Sequence, residues 1–243
     1  MACDGLPDWR DGEAYRWLSG ADRTCFAWEW LRRDEAYRRG FSENAPPSGF
    51  GLHAMVDPAL DGRTSRPVWR RAIDRSVLVA DVEAAGCDLF ELGRVARFAT
   101  IVTSAEGEHI LLSDGLRSVR FDLLSGSVRS GPVALRWQLA GLWSLMPALT
   151  ALRQLIALAG SGAFSASLHP RERRAPRWIA TLRVRDARAA GATAREMARE
   201  LFGEAVVGAS WRVDAASYRL RIQRLVALSR QLSEAGPGVL LDS

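Results

Sequence analysis

The stretch "ATAREMARELFGEA", residues 192–205, decides how the C-terminal third of the chain folds. Thr193 is followed three positions later by Glu196, the spacing of a capping box, in which hydroxyl and carboxylate each satisfy an orphan backbone N–H. A helix therefore starts at Thr193. Ala194, Met197, Ala198, Leu201 and Phe202 recur at three- and four-residue intervals and make one apolar face, with Arg195, Glu196, Arg199 and Glu200 on the other. Gly203 ends it. A short two-faced helix set among arginine-rich helices fits the first half of a helix-turn-helix, and it fits a core helix equally well.

Working outward, Pro176 is placed for the first turn of a preceding helix that runs to about Ala189. Trp178, Ile179, Leu182 and Ala189 lie near one face and should pack on Met197, Leu201 and the last helix. Arg171, Arg173, Arg174 and Arg177 crowd the positive end of that helix, where cations are mildly unfavourable. A phosphate backbone would compensate them; a solvated arm is the alternative. On the other side, a helix from about Ala215 to Leu232 carries an apolar stripe of Tyr218, Ile222, Leu225 and Leu232, helped by Val226 and Leu228. Ser217, Arg219, Gln223, Arg224, Arg230 and Gln231 lie off the stripe. Arg pairs bidentately with guanine and Gln with adenine in the major groove, so this reads as a recognition helix. The capped helix would support it, bringing Thr193, Arg195 and Arg199 near the DNA backbone. The usual turn between two such helices has about three to four residues. Here "GEAVVGASWRVDA", 203–215, intervenes, an expanded turn that Val206, Val207 and Trp211 would pack down.

Charge follows the same division. The chain of 243 residues has a net charge of +5 and no lysine, so all 33 basic residues are arginine. From His169 to Arg230 there are fourteen Arg against six acidic residues, a local charge of +8 that leaves −3 for the rest. A basic C-terminal third on a mildly acidic body is the footprint of a polyanion-binding module; solvated helix faces are the plain alternative.

Upstream, residues 1–45 read as a small helical unit. "DGEAYRWL" and "DRTCFAWEWLRRDEAYRRGF" each open on a capping aspartate. Trp17, Phe26, Trp30 and Tyr37 should bury, and Arg32, Arg33, Arg38 and Arg39 should not. Trp9 fits a staple on the first helix. "SENAPPSGFG" opens a linker or long loop over 46–76. From 77 the period becomes that of strands: "SVLVADV", "RFATIVT", "HILLSDG", "SVRFDLL" and "VALRWQL", separated by Glu-Gly, Asp-Gly and Ser-Gly turns, predict an antiparallel meander. A helix over Leu142–Ala159 completes the unit at 160, and 161–243 holds the three C-terminal helices. The fold class is α+β: a small N-terminal helical unit, a central β meander and a helix-turn-helix-like three-helix module.

"HPRERRAPRWIATLRVRDARAAGATAREMARELFG" (169–203) with "SWRVDAASYRLRIQRLVALSRQLSEAGPGVLL" (210–241) resembles the proteobacterial domain-of-unknown-function family 2285, also described as a type VI secretion transcription-factor DNA-binding domain. "DWRDGEAYRWLSGADRTCFAWEWLRRDEAYR" (8–38) is similar to the small transcriptional regulator-like domain that precedes it in fused proteins. "HILLSDGLRSVRFDLLSGSVRSGPVALRWQL" (109–139) resembles what lies between them. The resemblance implies a sequence-specific DNA-binding regulator of the FseA type, an activator of excision or transfer genes in integrative and conjugative elements. A shorter relative of such proteins acts as an antiactivator, so a protein that binds another regulator is the alternative.

Other classes find less support. His53, His109 and His169 are not spaced with Cys or carboxylates as a zinc site would be, and neither a P-loop, a G-x-S-x-G elbow nor a G-x-G-x-x-G run occurs. Tyr218, the one tyrosine among the clustered arginines that a recombinase would use, falls on the apolar stripe. The reading is therefore no enzyme, no cofactor and no metal, with double-stranded DNA as partner. Cys3, Cys25 and Cys87 form no CxxC pair, and the polar N-terminus lacks a signal-peptide pattern, so a cytoplasmic setting is expected. The uncharged run Trp137–Leu152 contains Pro147 and falls short of the roughly 20 residues that span a membrane.

Overall fold

The computed structural model describes residues 5–83, 86, 88–142, 145–207 and 216–241. Local signals set the N-terminal helices. Residues Glu13–Gly20 form a 3-10 helix, then α1 spans Arg23–Leu31 and α2 spans Glu35–Ser42. Asp22 caps α1 by accepting from the Cys25 N–H at 3.1 Å. Asp34 caps α2 through the Ala36 and Tyr37 N–H groups, which divides the single helix read from the sequence into two.

Residues 46–76, expected as a linker, have little regular structure but are not a free connection. Leu52, Val68 and Trp69 are buried, and an isolated bridge pairs Leu52 with Trp69. Leu52 and Trp69 share a cluster with Phe26, Trp28 and Tyr37. Loop composition marks the absence of periodicity, not the absence of packing, so this segment completes the core that a short helical unit could not build alone.

The central sheet contains β1 (Leu78–Glu83), β2 (Leu89–Phe90), β3 (Ala99–Ser104), β4 (Gly107–Ser113), β5 (Ser118–Ser125) and β6 (Val133–Trp137), in the spatial order β2-β6-β1-β5-β4-β3. Only β3-β4-β5 is a meander. β1 lies parallel to β5, and β6 returns antiparallel beside β1, which corrects the all-antiparallel expectation. Each strand is visible in its own residues; which neighbour it pairs with depends on the connections. A short helix, α3 (Leu92–Val95), lies in the crossover between β1 and the meander.

Both faces of β4 and β5 are covered, which explains their near-continuous burial. On one face Ile110, Leu112, Val119, Phe121 and Leu123 pack against Ala151, Leu155 and Leu158 of α4 (Leu145–Ser161). His109, Arg120 and Asp122, also buried, lie on the other. The β4–β5 hairpin tip docks on the start of α1: Asp22 N–H donates to the Leu116 carbonyl at 2.8 Å and Ser118 Oγ to Asp22 Oδ2 at 2.6 Å. Gly115 at the tip has φ +96° and lies so close to the chain that a Cβ would come within 2.5 Å of the Arg63 carbonyl oxygen.

Three helices follow: α5 (Ala175–Ala189), α6 (Ala194–Phe202) and α7 (Ala216–Ala235), with a last turn α8 (Gly238–Leu241). The capping box on α6 is formed, with the Glu196 N–H donating to Thr193 Oγ1 and the Thr193 N–H donating to Glu196 Oε2 at 2.7 Å. Gly203 at its end has φ +98°. A 3-10 turn covers Glu204–Val207; the rest of the expanded turn, with Trp211, lies outside the described residues. No helix among the described residues is long and apolar enough to cross a membrane.

Two corrections concern how the ends of the chain meet. Trp9 is not a staple on the first helix; it is buried with Val184, Ala187, Met197, Ala198 and Ile222, inside the core of the C-terminal helices. Conversely Trp178, Leu182 and Leu232 belong to the N-terminal cluster, while Ala189 is exposed. The terminal units thus bury apolar surface against each other, and α5 lies between them.

Candidate nucleic-acid interface

The join between the ends is polar at its centre. Arg33, expected on the surface, is buried and donates through Nε to Asp186 Oδ1 at 2.7 Å and through Nη2 to Oδ2 at 2.9 Å. Its Nη1 donates to the Glu29 carbonyl at 2.7 Å, and Tyr15 OH donates to Asp186 Oδ2, also at 2.7 Å. Arg32, likewise buried, donates from Nε to Glu29 Oε2 at 2.8 Å and from Nη1 to the carbonyls of Gly5 and Pro58. Two guanidiniums and two carboxylates balance in a region shut from water, as buried charges require. Burial would lower the Arg33 pKa, but Asp186 and Glu29 outweigh it and hold the group above its usual range.

Two further arginines of the basic third turn inward at the same join. Arg185 donates to the Trp30 carbonyl at 2.6 Å, and Arg183 to the carbonyls of Trp9, Arg10 and Glu200. Burial, with the Arg33 charge nearby, pulls the Arg185 pKa down to about 10. These arginines close helix and loop ends; they do not belong to an outward basic face.

Other arginines of the basic third fall in two outward groups. Arg171, Arg173, Arg174 and Arg177 are exposed around the first turn of α5. Arg171, Arg173 and Arg177 make no side-chain hydrogen bond or ion pair with the described residues, so none of those residues offsets their place at the helix's positive end. Arg171, Arg173 and Arg174, together with Arg23, Arg75 and Arg117, line a cleft of about 780 Å³ between α1, the sheet, α4 and the loop before α5. Arg23 within it pairs with Glu172 at 2.7 Å, and Arg117 with Asp114 at 3.0 Å. The sequence could not place Arg23, Arg75 and Arg117 here, because they come from three distant segments.

The second group lies on α7 and α6. Ser217, Gln223 and Arg224 are exposed, and Arg219 is half-buried. Ile222 beneath them packs with Val184 and Ala187 of α5. Arg221 lies over the Phe202 ring at 4.3 Å from its centroid, which fixes the start of α7 against the end of α6. Arg195 is exposed, whereas Arg199 is half-buried and held by Glu200 at 3.1 Å and Glu204 at 3.7 Å. The Thr193 hydroxyl is taken up by the capping box, donating to Glu196 Oε2 at 2.8 Å. Since Ile222 meets the C-terminal half of α5 and Leu232 shares a cluster with Trp178 in its N-terminal half, the two outward groups sit at opposite ends of the α5–α7 pair. A helix of that length spans roughly 20 Å.

Residues 8–67 match the family model of a proteobacterial transcriptional regulator-like domain. Residues 144–241 match that of a "T6SS, Transcription factor, DNA binding domain". The two matches support a two-domain DNA-binding transcription regulator. No curated protein and no solved structure matches the chain. The first match extends through the packed 46–67 segment, and the second takes in α4 as well as α5–α8, which leaves the sheet between them.

One more cluster escaped the sequence. The histidines were set aside as metal ligands because of their spacing in the chain, yet the fold brings His53 and His109 into stacking contact, ring centroids 3.4 Å apart, with Glu106 beside them.

Proposed function

We propose that this chain is a sequence-specific DNA-binding transcriptional regulator, and that its C-terminal helices carry the contact. The observation that supports this most is the coincidence of the DNA-binding family match over 144–241 with an exposed polar face on α7 and an uncompensated arginine group before α5. In this reading α6 and α7 act as a helix-turn-helix with an expanded turn. Gln223, Arg224, Arg219 and Ser217 face base edges, where Gln and Arg discriminate adenine and guanine. Arg171, Arg173, Arg174 and Arg177, with Arg195, hold phosphates and set the register. Thr193 and Arg199 act through the position of α6 rather than by free side chains.

The protein works by binding, not catalysis, in the cytoplasm, without cofactor. An activator of mobile-element excision or transfer genes is the finer reading. An antiactivator that binds another regulator through the same face is the alternative, favoured by the apolar side chain of Leu220 left exposed on α7. Chromatin immunoprecipitation with sequencing would name the operator, and a duplex carrying it then separates the two readings. DNA affinity should fall steeply with salt, and Arg173→Ala or Arg174→Ala should each reduce the slope of log K against log salt by about one. Gln223→Ala or Arg219→Ala should relax sequence preference instead, by about 1–3 kcal/mol at the cognate base. Failure to bind any duplex enriched from the genome would favour the protein-binding alternative.

A further inference from the structure

We propose that His53, Glu106 and His109 form a site for a divalent transition-metal ion of the zinc class, which clips the N-terminal domain to the central sheet. The inference is independent of the DNA-binding reading. The ligand atoms these three residues offer all lie within 4.8 Å of one another. They come from three places: His53 from the irregular segment of the N-terminal domain, Glu106 from the β3–β4 turn, and His109 from β4.

His109 is already oriented as a ligand. It stands directly opposite Asp122 in the β4–β5 register, with Nδ1 2.9 Å from Asp122 Oδ1. A carboxylate there accepts a hydrogen bond from Nδ1–H, which leaves the lone pair on Nε2. An imidazole backed by a carboxylate is the usual way proteins fix the tautomer and raise the basicity of a metal-bound histidine. Asp122 is itself held by Arg120 Nη2 at 2.8 Å. Nε2 of His109 lies 2.9 Å from Ser104 Oγ, a hydroxyl that can rotate away.

His53 supplies the second nitrogen. Its Nε2 is buried and has no hydrogen-bond partner, a costly condition for a polar atom. The stacked ring centroids stand 3.4 Å apart, with the planes 21° from parallel. Parallel rings do not aim both lone pairs at one point, so binding must open the stack, and His53, half-buried on a segment without regular structure, is the ring that can turn.

Glu106 completes a set of two histidines and one carboxylate. Arg70 Nη2 holds it at 2.9 and 3.2 Å from its two oxygens, an outer contact that can keep one oxygen while the other binds the ion. Two imidazoles and a carboxylate with a fourth position open to water suit Zn²⁺ or a neighbour in the first transition row. The nearby carboxylates of Asp122 and Asp74 offset the buried Arg120.

The full-length protein, stripped with chelator and dialysed, is titrated with Co²⁺, whose visible absorption reports a low-coordinate nitrogen and oxygen site, and then with Zn²⁺ in competition. One saturable equivalent is expected, with a rise in melting temperature as the ion binds the folded chain. His53→Ala and Glu106→Gln should each weaken binding at least about tenfold, while His169→Ala should leave it unchanged. Glu106 is exposed in a turn, so Glu106→Gln keeps the test meaningful even if a histidine variant unfolds; the far-ultraviolet spectrum in chelator checks each variant. Absence of saturable binding, or unchanged affinity in either His53→Ala or Glu106→Gln, overturns the site.

Discussion

Arg173 and Arg177 at one end of α5 differ sharply from Arg183 and Arg185 further along the same helix. The first pair points outward with no partner among the described residues, whereas the second donates to carbonyls of the N-terminal unit. All four count equally in the +8 of the basic third. The difference teaches that charge summed along a chain overstates the surface a polyanion meets. Part of the arginine enrichment serves to join two domains, through guanidiniums that cap exposed carbonyls and pair with Asp186. Arg32 and Arg33 carry the lesson into the N-terminal unit, where residues read as solvated are buried among carboxylates.

The sharpest way to break this comparison is to remove the acid at its centre. Asp186→Ala leaves Arg33 buried without its bidentate partner and Tyr15 without its acceptor, and losing one member of such a pair costs about 3–5 kcal/mol. Chemical denaturation should show that loss in a full-length chain; a change under 1 kcal/mol would mean that water reaches the join. An intermediate effect belongs to Thr193→Ala, which removes the α6 cap and should cost about 1 kcal/mol without touching the domain join. The smallest belongs to Arg173→Ala and Arg177→Ala, surface changes expected to leave stability within about 0.5 kcal/mol. If either outward variant destabilised the fold as much as Asp186→Ala, the division into joining and outward arginines would fail.

The same comparison explains what was legible. Helix α6 could be read to the residue because its start, face and end depend on groups within a few positions: Thr193 with Glu196, the Met197–Leu201 spacing, and Gly203. Five of the six strands were visible for the same reason, while the two-residue β2 was too short to leave a period. Trp9 was misplaced because an isolated tryptophan says only that it will bury, and its partners Met197 and Ile222 lie at the far end of the chain. The cleft arginines Arg23, Arg75 and Arg117 gave no sign either, since no spacing links them.

By itself, then, the sequence determined the bounds of α6 and the place of five of the six strands, that an apolar stripe runs down α7, and that the C-terminal third is rich in arginine. These follow from backbone capping, side-chain period and composition, which act over one or two turns of chain. Tertiary structure alone decided that β1 would lie parallel to β5, which arginines face water, and that His53 would stack on His109. Those outcomes turn on pairing between residues tens to more than a hundred positions apart, where burial and desolvation of charge, absent from any local pattern, choose the partner.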